Sequence, residues 1–162
     1  MLNGTDWPAT HPDFIAEAEL LMVRCQECLA HMALIADDTD ALDGLLDSLS
    51  RLADKACRAQ VDCSAALCRE LWRLLAPACV DNPLSSETQA LVGECMTLLA
   101  WHLELIDPHT GQLPLDEAEQ RELLGKVAVS FQLPPSRAEL ETHTLQREAT
   151  YSRAVSQSSA PR

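Results

Sequence analysis

Apolar residues recur every three to four positions through most of this 162-residue chain, and no other feature limits its fold as tightly. Between residues 14 and 32, Phe14, Ala18, Leu21, Met22, Cys25, Cys28, Leu29 and Met32 share one side at about 100° per residue. Glu17, Glu19, Arg24 and Glu27 lie off that side. The pattern predicts a helix that starts at "THPD", with Thr10 as its cap and Pro12 in an early helical position, and runs to about Ile35.

Four more helices follow by the same reasoning. "ADDTD" supplies acidic N-cap candidates for a second helix over about 40–59, with Leu42, Leu45, Leu46, Leu49 and Ala53 as its stripe. A third, about 62–76, carries Cys63, Leu67, Leu71, Leu74 and Leu75 and is ended or kinked by Pro77. A fourth, about 86–106, opens on a capping box of Ser86 and Gln89 and presents Leu91, Cys95, Leu98, His102, Leu105 and Ile106. Asp116 and Glu119 suit the start of a fifth, through about Val129. The chain is rich in Leu and Ala, only 4% aromatic and poor in β-branched residues, which disfavours strands. The expected fold is therefore all-α, an up-and-down antiparallel helical bundle of four core helices plus a fifth.

At this length one domain is expected, over residues 1–130. After "QLPPS", Ser136 and Glu139 would begin a short helix with only Ala138, Leu140 and Leu145 as a stripe, so 131–162 reads as a weakly helical to disordered tail. A formal net charge of −13 repels a phosphate backbone, and no basic cluster offsets it, which argues against nucleic acid as a partner. The N-terminus has no basic region followed by an apolar run, and no apolar stretch approaches the roughly 18 residues of a membrane span. A cytoplasmic protein without membrane insertion is expected. The odd number of cysteines, placed mostly inside helical patterns, reads as reduced thiols rather than a disulfide framework.

Two groups of polar residues bear on function. In "ALDGLLDSLSRLADKA", residues 41–56, Asp43, Asp47, Ser50 and Asp54 form a column beside the leucines. Among the histidines, His11 and His109 fall in loop-like segments, His143 in the tail and His31 off the first apolar face. His102 instead lies within the fourth stripe. It is either a core residue bonded to a neighbour or, with Cys25, Cys28 and Cys95, part of a metal or thiol site. There is no Gly-rich phosphate loop, no "HExxH", no "GxSxG" and no nucleotide-binding fingerprint, so a non-enzymatic role without a cofactor is expected.

The order and lengths of the helices, with the acidic, leucine-rich "FIAEAELL" leading through "ADDTD" into "LLDSLSRLAD", resemble the histidine phosphotransfer family. The likeness is to the version at the N-terminus of chemotaxis histidine kinases and covers about residues 13–107. It implies a four-helix bundle whose second helix carries an "A-F-R-A-x-H-T-x-K-G" signature. Laid on that signature without a gap, Ser50 stands at the phosphorylatable histidine, Arg51 at the threonine, Ala53 at the lysine and Asp54 at the glycine. Imidazole is a good nucleophile near neutral pH, whereas an unactivated hydroxyl is not. The resemblance thus implies a bundle that binds a kinase, receiver domain or chemosensory scaffold through Asp43, Asp47, Ser50, Arg51 and Asp54 without carrying phosphate. Two alternatives remain: phosphotransfer through another histidine, His102 or His31, and an acidic chaperone or adaptor of a secretion or assembly system.

Overall fold

Six helices, and no strand, make up the described residues 7–78 and 83–131 of the computed structural model. They are α1 (Trp7–Thr10), α2 (Phe14–Leu34), α3 (Thr39–Arg58), α4 (Asp62–Ala78), α5 (Ser86–Leu105) and α6 (Ala118–Ser130). Among these residues α2 packs on α3, α3 on α4, α4 on α5 and α5 back on α2, with no close backbone approach across either diagonal. Side-chain bonds fix the directions. Lys55, late in α3, reaches Glu17, early in α2, at 2.6 Å, and Ser64 at the start of α4 meets His102 near the end of α5 at 3.1 Å. Gln89, early in α5, donates to the Met32 carbonyl near the end of α2 at 3.4 Å. Consecutive core helices therefore run antiparallel, and the all-α bundle expected from the periodicity is the observed fold. α6 packs on α4 and α5, its Ser130 bonded to Thr88 at 2.9 Å.

The leucines fill the centre. Leu45, Leu49 and Leu52 of α3 meet Leu67, Leu71 and Leu75 of α4 in the buried core, with Met96 and Leu99 of α5 closing it. Burying a side chain of this size stabilises by about 1.5–3 kcal/mol, so this cluster outweighs any surface ion pair. α3 starts where its acidic turn places it. The Asp38 carboxylate accepts from the Ala41 N–H at 2.9 Å, satisfying a donor that the first helical turn leaves open. It stops at Gln60, whose φ of 62° is left-handed, letting the Val61 N–H donate to the Ala56 carbonyl at 2.9 Å.

Several sequence-based boundaries are corrected. Thr10 does not cap the long helix; it ends the separate turn α1, and Pro12 lies in the bend before Phe14. The reason is Trp7, which is buried, donates its indole N–H to the Ala59 carbonyl at 2.8 Å and packs edge-on to Phe14. At α5 the N-cap is Ser85 rather than Ser86, because the Ser85 hydroxyl accepts from the Thr88 N–H at 3.1 Å. Pro77 lies inside α4, in the last two residues of a helix that runs to Ala78 rather than to about 76. Leu105 is exposed rather than core, while Thr88, Val92, Met96, Leu99 and Leu103 widen the buried side of α5. The tail segment 132–162, with its Ser136 to Leu145 pattern and His143, lies outside the described residues. No helix among the described residues is long and apolar enough to cross a membrane.

Candidate docking site

The core-facing residues of α3 are Leu45, Ser48, Leu49, Leu52, Ala53 and Ala56, and this fixes what its opposite side presents. Asp43, Asp47, Ser50, Arg51 and Asp54 are all exposed there. The two serines of this helix divide sharply. Ser48 is fully buried and donates to the Gly44 carbonyl at 2.7 Å, so it is spent on the backbone. Ser50, two residues on, faces solvent and makes no side-chain hydrogen bond among the described residues. Its hydroxyl is accessible and unactivated.

Charge along this strip is only partly neutralised. Arg51 pairs with Asp47 at 3.6 Å, one turn apart and both well exposed, a pair worth a few tenths of a kcal/mol. Asp43 and Asp54 have no ion pair among the described residues. The Lys55–Glu17 bridge holds α3 against α2 beside the strip. The sequence-derived column is thus brought together as one exposed, net acidic ridge, able to bind by charge and hydrogen bonding but without a nucleophile.

His102 belongs to the core. It is 2% exposed, its Nδ1 lies 3.1 Å from the Ser64 hydroxyl, and burial lowers its pKa, which keeps the ring neutral. The ring borders a cleft of about 350 Å³ between α5 and the start of α6, with Leu98, Asp116, Glu119 and Gln120 also in its wall. Gln120 accepts from the Cys63 thiol at 3.2 Å, which ties α6 to α4. His31 is exposed at the end of α2, 3.8 Å from Asp38.

The cysteines are placed for packing. Among the described residues all six are free, and no group of three His, Cys, Asp or Glu side chains stands close enough to hold a metal ion. Cys25, Cys28, Cys95 and His102 therefore do not converge as ligands. Burial pushes the Cys25 and Cys95 thiols up to about 12, and Cys68 higher still, so none is a thiolate at neutral pH.

Sequence reasoning missed the partners that make these polar groups buriable. Ser64 lies in the first turn of α4 and reads as a helix-start residue, yet it faces inward to His102. Thr88 likewise bonds both Ser85 and Ser130 at 2.9 Å, joining α5 to α6. A small hydroxyl residue at an apolar position of one helix, matched by another polar residue in the next stripe, was the available signal. With these positions established, the class of the protein is an all-α antiparallel bundle. Comparison with protein families, curated proteins and solved structures returned no match to this chain.

Proposed function

We propose that this chain is a phosphotransfer-like docking module that lacks the reactive histidine and modulates two-component or chemosensory signalling by binding a partner protein. The observation that carries the reading is Ser50. It stands exposed in mid-helix on the outer ridge of α3, between Asp47 and Asp54, at the position that the resemblance aligns with the family's histidine. An accessible position without a nucleophile supports binding rather than group transfer. The acidic ridge favours a partner surface with basic residues facing Asp43, Asp47 and Asp54. A kinase, a receiver domain or a signalling scaffold in the cytoplasm is the partner class this reading names, and it assigns the chain no catalytic step and no cofactor.

The test is phosphoryl labelling. The full chain is incubated with acetyl phosphate and, separately, with a phosphorylated receiver domain, and acid-labile phosphohistidine is measured. No labelling is expected. Of the two candidate histidines, His102 is 2% exposed at the wall of its cleft and His31 is exposed at the end of α2, so His31 is the more accessible of the pair. Robust labelling that disappears in His31→Ala or His102→Ala sinks the reading.

A further inference from the structure

The outward side of α2 is apolar except at Glu27. Ala16, Leu20, Val23, Ala30 and Leu34 are all exposed, Leu20 at 72% and Leu34 at 82%. With Glu27 they recur at steps of four, three, four, three and four residues, the heptad spacing of a coiled-coil seam. This seam lies about half a turn away from the inward stripe of Phe14, Ala18, Leu21, Cys25 and Met32. A helix apolar on opposite sides is ordinarily covered on both. Among the described residues only the inward side of α2 is covered.

We propose that a second copy of this chain covers it, with the two α2 helices pairing antiparallel about a two-fold axis midway between Val23 and Glu27 on the outward side. The order of side chains along the seam selects this occupant. In antiparallel register Ala16 faces Leu34 of the partner subunit, Leu20 faces Ala30 of the partner subunit, and Val23 faces Glu27 of the partner subunit. Each bulky apolar residue at the ends meets an alanine, so the ridges interlock without voids. A parallel pairing would instead set alanine on alanine and Glu27 on Glu27, leaving gaps and a like-charge contact.

Charge makes the same choice. Arg24 and Glu27 flank the proposed axis, and neither has an ion pair among the described residues. In the antiparallel pair each Glu27 lays its apolar stem over Val23 and its carboxylate reaches Arg24 of the partner subunit, giving two symmetric bridges. Opposed helix dipoles favour the same arrangement. From Ala16 to Leu34 the seam is about 27 Å long at helical rise. One helix per subunit lies near the low end of specific interfaces, about 1,200 Å², so the dimer is reversible. Two chains of net charge −13 also repel, and salt therefore strengthens the association by screening.

Sedimentation equilibrium of the full chain over a range of concentration and salt reads the proposal. A monomer–dimer equilibrium that tightens as salt rises is expected. Leu20→Glu, at an exposed position, should leave the helical circular dichroism unchanged. Because it enters the interface twice, it should weaken association at least about a hundredfold. Arg24→Glu and Glu27→Arg should each weaken it, and the double swap should recover it, since that exchange preserves the cross-axis pairs only in antiparallel register. A chain monomeric at every concentration and salt, a dimer indifferent to Leu20→Glu, or a double swap that fails to recover association overturns the proposal.

Discussion

Gly111 sits at φ 68° beneath the Trp7 indole, and a β-carbon built there would fall inside the ring, against Nε1 and Cδ1. Gly111→Ala therefore meets two separate penalties. Holding an alanine in left-handed backbone costs about 1 kcal/mol. Moving the indole aside breaks the Trp7 to Ala59 bond, about 1 kcal/mol, and exposes part of a large buried aromatic surface, about 1–2 kcal/mol more. The expected loss is about 3–4 kcal/mol, measured by urea unfolding followed by circular dichroism at 222 nm. The decisive comparison is a double-mutant cycle with Trp7→Ala. Once the ring is gone, Gly111→Ala should cost only its backbone share of about 1 kcal/mol, leaving a coupling of about 2–3 kcal/mol. Equal losses in both backgrounds, or a loss below about 1 kcal/mol in the parent, would refute the steric argument. Gly93 in α5 and Gly125 in α6 are controls of opposite sign: a β-carbon meets nothing within 4 Å at either. Alanine there should stabilise by up to about 1 kcal/mol.

Other consequences are as direct. Burial depresses His102 below its ordinary pKa of 6.5, so as pH falls through that value the unfolded chain takes up a proton that the folded chain refuses. Stability is then lost on acidification, by at most about 1.4 kcal/mol per pH unit from this group. His102→Gln, which retains a polar partner for Ser64, should unfold with a shallower pH dependence than the parent between pH 7 and 5; parallel curves would contradict the account. Gln60→Gly relieves left-handed backbone at the end of α3 and should raise the urea midpoint, by about 0.5–1 kcal/mol in stability. Ser50→His, labelled with a phosphorylated receiver, should remain unphosphorylated while Ala53 is buried in the core and Asp54 adds negative charge to the ridge.

The fold was legible because leucine spacing is a repeated signal. The stripe Leu67, Leu71 and Leu75 is core in the structure, as are Leu45 and Leu49, and each helix offers several turns over which one misplaced residue does not matter. Ends are set by single bonds, and there the reading erred. Ser85 and Ser86 are chemically identical as caps, and only the bond to Thr88 decides between them. Trp7 lies one residue before a proline in a short polar segment, so nothing local marks it as core; its partners Ala59 and Gly111 are far away in sequence. The α3 ridge was legible because exposure follows from the same period that defines the core. The outward seam of α2 escaped notice for the opposite reason: apolar residues on both sides blur the contrast on which the period depends.

The Trp7 clasp joins residue 7 to residue 59 and lies over residue 111, so it cannot form until α3 has ended and the α5–α6 connection is in place. Closing loops of that length makes it a late event in folding, after the leucine layer of α3 and α4 has assembled through much shorter connections. A clasp absent from the transition state governs escape from the native state rather than arrival in it. Weakening it should accelerate unfolding and leave the refolding rate nearly unchanged. The residues that least resemble core in the sequence would then set how long the folded protein lasts.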